Sequence, residues 1–262
     1  VLVVDDDEDQ CRLLAEALAG QGYVTCTAAD GIYALQQIDA FPNGVTSIPK
    51  QLQGSSFFPA GIGLLVDKCS TQLPRFPVGG IMVLAHDWGT VGDFELYEKE
   101  NEERLTNPTW RNMLPFFERI GIRTSDCFFT NFFVGLRTGK SSVGVFPGAK
   151  DPVYVMACQR LLAKQIDRQR PRLVLVLGAY VPKLIASMSD DLKPWERFDS
   201  FKAIDRQSLA SFRNVNLRGS DHEFSVASLV HPCYRQRNAR NRRWKNFEGD
   251  AAEVNLVKEL LA

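Results

Sequence analysis

The chain has 262 residues, 45% of them apolar, with 31 basic side chains balanced by 31 acidic ones. This describes a soluble globular protein with ample material for a core, and with no apolar run near the ~20 residues needed to cross a bilayer it excludes a membrane-spanning helix. Zero net charge does not exclude a nucleic acid partner, because the distribution of charge matters more than its sum. No signal peptide is visible, so a cytoplasmic location is expected. The first residue is Val1 rather than Met, which points to a fragment or a trimmed chain.

Residues 1–38 read as strand, helix, strand, helix. Residues 1–4 (VLVV) are an apolar run followed by Asp5, Asp6 and Asp7, and Leu13, Leu14, Ala17 and Leu18 form a stripe at helical spacing up to Gly20 and Gly22. Residues 23–29 alternate as a strand, and residues 31–38 make a second short amphipathic helix. This order, with its acidic pair, resembles the opening of a response-regulator receiver domain. The resemblance implies that Asp5 and Asp6 hold Mg²⁺ beside a phosphate-accepting aspartate that ends a third strand. No such strand follows in time: residues 39–44 are turn chemistry, and the next apolar run ending in an acid, residues 64–67, comes after far more than a short loop. A truncated receiver-like segment over residues 1–42, without a working phosphorylation switch, is therefore expected. The alternative is three aspartates that cap a helix and solvate a strand end.

Residues 41–80, rich in Pro, Gly, Ser and Gln, read as a linker and lead-in to the domain at 43–262. Residues 81–90 (IMVLAHDWGT) are a buried strand that delivers Asp87 into a glycine-bearing turn. Residues 95–107 suit an exposed loop or loose helix. Residues 110–120 have helical apolar spacing, but Pro115 predicts a kinked or broken helix. An aromatic strand at 128–134 follows. The stretch GLRTGKS at 135–141 imitates a phosphate-binding loop, yet it has three residues between its glycines where that motif has four, and no helix follows. A basic loop near DNA is the better use for Arg137 and Lys140.

Asp151 and Pro152 begin a helix in cap-then-proline fashion, with Val155, Leu161, Leu162 and Ile166 inward and an end near residue 170. Residues 173–177 (LVLVL) do not alternate, which points to a parallel strand covered on both faces. A helix with Leu184 and Ile185, a strand at 225–230 ending in His231-Pro232, and a terminal helix from about Ala251 complete the chain. The expected fold is α/β: a three-layer α/β/α sandwich around a four-stranded, mostly parallel sheet, preceded by the short βαβα receiver-like fragment.

Strand-Asp-turn early and strand-His-Pro late, as Ala85-His86-Asp87 and His231-Pro232-Cys233, together with Phe128-Phe129-Thr130-Asn131 between them, resemble the signature segments of the uracil-DNA glycosylase superfamily over residues ~57–262. The resemblance implies base excision from DNA, with Asp87 and His231 catalytic and Asn131 reading the base. The chemistry fits. Breaking the bond between base and deoxyribose passes through a sugar cation and a base anion, so the site needs a negative group under the sugar and a hydrogen-bond donor at the base oxygen. Asp87 supplies the first and can orient water; neutral His231 supplies the second; the Asn131 amide matches a pyrimidine edge. Trp88 or Trp110 would form the aromatic wall for the extruded base. Substituting Asp87 or His231 is expected to lower excision while sparing the fold. Singly, each residue also has a plain structural use: Asp87 as a cap, His231 as a satisfied strand-end histidine, Asn131 as a turn residue, Trp110 as a core aromatic.

After His231 comes a run with six cations and no acid at 234–245, implying a polyanion partner bound by Arg235, Arg237, Arg240, Arg242 and Arg243. Where the resemblance implies an apolar wedge four residues past the histidine, this chain has Arg235, so the expected partner is DNA, with single-stranded or already distorted DNA open beside duplex. Trp88-Gly89 replaces the Pro-Tyr that blocks thymine in one branch, so uracil selectivity does not carry over. The six cysteines show no close pair, so neither disulfides nor the iron-sulfur cluster of some branches is expected, nor any cofactor or metal. The protein is expected to be a monomer away from membranes. Two other readings stay open: a signalling protein with a glycosylase-like output domain, and a non-catalytic DNA-binding member of the fold.

Overall fold

In a computed structural model, which describes residues 2–4, 16–17, 26–28, 41–49, 77–99 and 107–262, the first ordered pairing is between β1 (Leu2–Val4) and β2 (Cys26–Ala28), which run parallel. Both fall within strands expected from the sequence. The acidic residues after β1 and the second expected helix lie outside the described residues.

Part of the expected linker is built into the domain. β3 (Val45–Thr46) pairs antiparallel with a short strand at Leu136–Arg137, and Ile48 just beyond it is buried. β4 (Ile81–Ala85) follows, and after its turn comes α1 (Val91–Lys99). The next helix, α2 (Pro108–Ile120), runs on through Pro115 rather than breaking. Its ends are well fixed: Asn107 accepts from the Thr109 N–H at 2.8 Å, and Gly121 closes the helix in the left-handed region. Trp110, Met113, Phe116, Phe117 and Ile120 bury one face, and that packing outweighs the bond lost at a single proline.

β5 (Cys127–Asn131) and β6 (Leu136–Arg137) lead to α3 (Pro152–Gln169), whose N-cap Asp151 accepts from the N–H groups of Val153 and Tyr154. Then come β7 (Leu173–Leu177), α4 (Val181–Ala186), α5 (Phe201–Arg206), β8 (Ser211–Asn216) and β9 (Glu223–Leu229). The chain ends with the short α6 (Arg235–Asn238), a small hairpin of β10 (Arg243–Trp244) and β11 (Phe247–Glu248), and α7 (Asp250–Leu261).

The central sheet has the order β5-β4-β7-β9-β8. The first four strands are mutually parallel, and every residue of β4, β5 and β7 is buried, which requires cover on both faces. The sheet is thus mostly parallel and layered as expected, with one strand more than the four expected. The addition, β8, is an antiparallel edge strand with a register shift between Phe212 and Val215. Its exposed Arg213 and Asn214 break the apolar pattern by which a strand is recognised, a common feature of sheet edges.

Parallel strands bring all their carboxyl ends to one edge. From β4 the chain crosses first to β5 on one side and then to β7 on the other, so the order reverses at β4, and ligands of open α/β sheets bind in the crevice at such a point.

Candidate active site

The turn after β4 is shaped by a carboxylate with four donors. Asp87 Oδ1 accepts from the Gly89 N–H at 3.0 Å and from Arg137 Nε at 3.1 Å; Oδ2 accepts from Arg137 Nη2 at 2.7 Å and His86 Nδ1 at 2.6 Å. Gly89 has φ 85°, and a Cβ there would lie 3.0 Å from Asp93 Oδ2, so the turn needs glycine. Thr90 then starts α1 through reciprocal bonds with Asp93, a capping box that fixes where the turn ends. Burial would raise the Asp87 pKa; the bonds from His86 and Arg137 and their charges outweigh it and hold the carboxyl at about 2.

The guanidinium that grips Asp87 is itself saturated. Arg137 also donates to the backbone carbonyls of Val143, Gly144 and Val145, so all five of its N–H groups are used. It is 4% exposed. The expectation that it faces DNA from a basic loop is corrected: it is a buried clamp between the loop at 138–145 and the aspartate. Nothing in the local sequence reveals a partner fifty positions away.

His231 follows β9 and begins a tight turn. Its Nδ1 accepts from the Cys233 N–H at 3.3 Å, and the Cys233 thiol lies 2.9 Å from the same nitrogen. With Nδ1 the acceptor, the neutral ring carries its proton on Nε2. Burial lowers the His231 pKa to about 4, reinforced by the charge of His86 and opposed by that of Asp87. The imidazole is therefore neutral at physiological pH. Asn112 on α2 donates to the Pro232 carbonyl at 2.9 Å, and Gly178, with φ 93°, lets the backbone after β7 pass close to the His231 side chain. A β-carbon at 178 would be strained.

Asp87, Asn131 and His231, from the ends of three parallel strands, line one cleft of about 690 Å³ together with His86. Asn131 is buried, and among the described residues nothing hydrogen-bonds its side-chain amide, so the amide is available to a ligand. Trp88 also lines the cleft, though it packs mainly with Ile48, Phe94, Val134 and Leu136. Trp110 does not reach it. That indole is wholly buried against Phe129 at 5.2 Å between ring centres, so its expected role at the base is corrected to one in the core. The exposed aromatics on the cleft wall are Tyr180 and Tyr234, which no strand or helix pattern marks out. Among the described residues, no group of three or more His, Cys, Asp or Glu side chains is placed to hold a metal ion.

A family model, the uracil DNA glycosylase superfamily, matches residues 100–254, more than half of the chain. The chain belongs to the uracil DNA glycosylase superfamily. The match includes Asn131 and His231 and starts after Asp87, and it leaves the receiver-like reading of the amino-terminal segment without support. No curated protein matches the chain. No helix among the described residues is long and apolar enough to cross a membrane.

The arginine run of this superfamily member divides into two kinds. Arg235 and Arg242 were expected on the DNA surface, and the structure corrects both. Arg235 stacks over Phe116 at 3.7 Å and pairs with Asp250 and Glu253. Arg242, 1% exposed, forks onto Asp205 and also pairs with Glu253. Arg237, Arg240 and Arg243 are exposed; Arg243 pairs with Glu248 at 3.0 Å, and no described acid pairs with Arg237 or Arg240. Glu253 is the hub. Besides both arginines it accepts from the Val230 N–H at 2.7 Å, next to His231. Glu253→Ala would take one acid from each of two buried cations, leaving Arg235 with Asp250 and Arg242 with Asp205, and would free the Val230 N–H. It is expected to cost about 3–5 kcal/mol in urea unfolding; a loss within the range of ordinary surface substitutions would mean that this cluster does not hold the histidine turn.

Proposed function

We propose that the protein is a DNA base-excision glycosylase, hydrolysing the bond between deoxyribose and uracil or a related damaged base. The observation that carries this reading is the convergence of Asp87, Asn131 and His231 on one cleft at the carboxyl edge of the sheet. In the reaction Asp87 contributes fixed negative charge near the sugar cation, neutral His231 donates through Nε2–H to the base oxygen as negative charge develops there, and the Asn131 amide reads the base edge. Trp88, Tyr180 and Tyr234 offer aromatic surface to an extruded base. Incubation of the protein with labelled single- and double-stranded oligonucleotides carrying uracil, hypoxanthine or a thymine mismatch, followed by alkali, tests the reading. Strand cleavage at one of these bases is expected. DNA binding with no cleavage at any of them would make the protein a non-catalytic member of its fold.

Contact with DNA falls in this reading to the exposed Arg237 and Arg240, with Arg243 beside them. Replacing Arg237 and Arg240 by Gln is expected to make the slope of log affinity against log salt shallower by about two units on duplex. The same substitutions at Arg235 and Arg242 should instead unfold the protein more easily. A salt slope unchanged in the Arg237/Arg240 variant would put the DNA surface elsewhere.

A further inference from the structure

An ionised carboxylate has about four lone-pair positions, and in Asp87 the donors from Gly89, Arg137 and His86 fill them all. No position remains to take a proton from water. Rotation would not free one, because the Arg137 fork is held on its far side by three backbone carbonyls. The neighbouring imidazole is in the opposite state. A ring nitrogen 2.6 Å from a carboxylate oxygen is its donor, so Nδ1 of His86 carries a proton, and whenever the ring is neutral the lone pair is on Nε2. Edge contact with Phe133 at 5.3 Å and a tilted contact with Tyr180 at 5.4 Å fix the ring plane. Its side chain is 17% exposed and lines the cleft, and among the described residues nothing hydrogen-bonds Nε2.

The cleft thus holds two imidazoles of opposite polarity. His231, accepting at Nδ1, is a donor at Nε2; His86, donating at Nδ1, is an acceptor at Nε2 in its neutral form. We propose that His86 is the catalytic base that activates the attacking water, with Asp87 and Arg137 as the positioning residues that fix its tautomer and plane. The proposal rests on the glycosylase reading and reassigns the water-orienting role from Asp87. As the bond from C1′ to the base nitrogen breaks, its electron pair leaves with the base, and the anion is stabilised by the His231 Nε2–H. The water oxygen bonds to C1′ and its proton passes to His86 Nε2. The resulting imidazolium is stabilised by Asp87 and returns the proton to solvent.

The charged and titratable groups near this ring are Asp87 on the same turn, Arg137 on β6, His231 after β9 and Tyr180 before α4, with Asp93 and Asp199 also on the cleft wall. An acid limb in the wild-type pH profile therefore does not identify His86 by itself, and variants are needed. His86→Gln keeps an N–H for Asp87 but cannot take a proton; His86→Ala leaves a space for free imidazole.

The test is single-turnover release, over a range of pH, of whichever base the wild type excises from the oligonucleotide panel. Both variants are expected to be slower by about 100-fold or more, and added imidazole should restore part of the rate to His86→Ala while leaving the wild type unchanged. Near wild-type rates in His86→Gln, or no gain from imidazole in His86→Ala, would overturn the proposal and leave the glycosylase reading standing. A wild type that excises nothing from any oligonucleotide would overturn both.

Discussion

Asp87→Asn is expected to lower base excision by about 100-fold or more and, against the expectation from sequence, to weaken the fold by about 3–5 kcal/mol. The carboxylate is 6% exposed and receives both arms of a buried guanidinium. An amide in its place turns an N–H₂ group towards Arg137 or His86, so one donor faces another and the Arg137 cation loses its counter-charge. The loop at 138–145, held by the other side of that guanidinium, should loosen with it. Urea unfolding at neutral pH measures the stability loss. Single-turnover excision at a temperature where the variant stays folded isolates the chemical one. Because the folded-state carboxyl is held at about 2, below its ordinary 3.8, its contribution is complete above the ordinary value and is lost as pH falls through about 2. The variant should therefore show a flatter stability curve over that acid range. Wild-type stability in Asp87→Asn would mean that the Arg137 pair only offsets its own desolvation.

Several parts of this architecture are legible in one sequence because they depend on local physics. The uninterrupted apolar runs at 81–85 and 173–177 are parallel strands because only a strand covered on both faces can bury every residue. Asp151-Pro152 starts a helix because an acceptor followed by a residue without an N–H suits the first turn. Strand ends at Asp87, Asn131 and His231 could be placed at one edge for the same reason.

Pairing across the fold is less legible. Arg137, Arg235 and Arg242 read as a polyanion surface when charges are counted along the chain, yet each has acids supplied by other elements: the buried Asp87 on the β4 turn, Asp205 on α5 and Glu253 on α7, and the part-exposed Asp250 on α7. A count of cations records that a charge is present, while burial decides whether it faces solvent. His86 was missed for a related reason. A histidine beside an aspartate forms no pattern of its own along the chain, and the pairing of its Nδ1 with Asp87 Oδ2 exists only in the folded turn.

His231→Ala is expected to lower base excision by about 100-fold or more while leaving neutral-pH stability nearly unchanged, the reverse of the Asp87 pattern in its second part. The described hydrogen-bonding partner of this ring is the adjacent Cys233, and the turn is held from outside by Asn112 on Pro232 and by Glu253 on Val230, so removal of the imidazole leaves those anchors in place. Acid sensitivity provides an independent check. Burial lowers the folded-state pKa to about 4 from 6.5, so as pH falls from neutrality the unfolded chain takes up the proton first. Native stability contributed by the neutral ring is full above 6.5, declines through the window down to about 4, and has gone below it, a loss of roughly 3 kcal/mol at most. His231→Ala should remove that decline, so its urea midpoint should change less than that of the wild type between neutral pH and pH 4. Parallel curves for the two proteins would mean that the imidazole is protonated in the folded state near its ordinary pH, and that the donor in the cleft is a cation rather than a neutral ring.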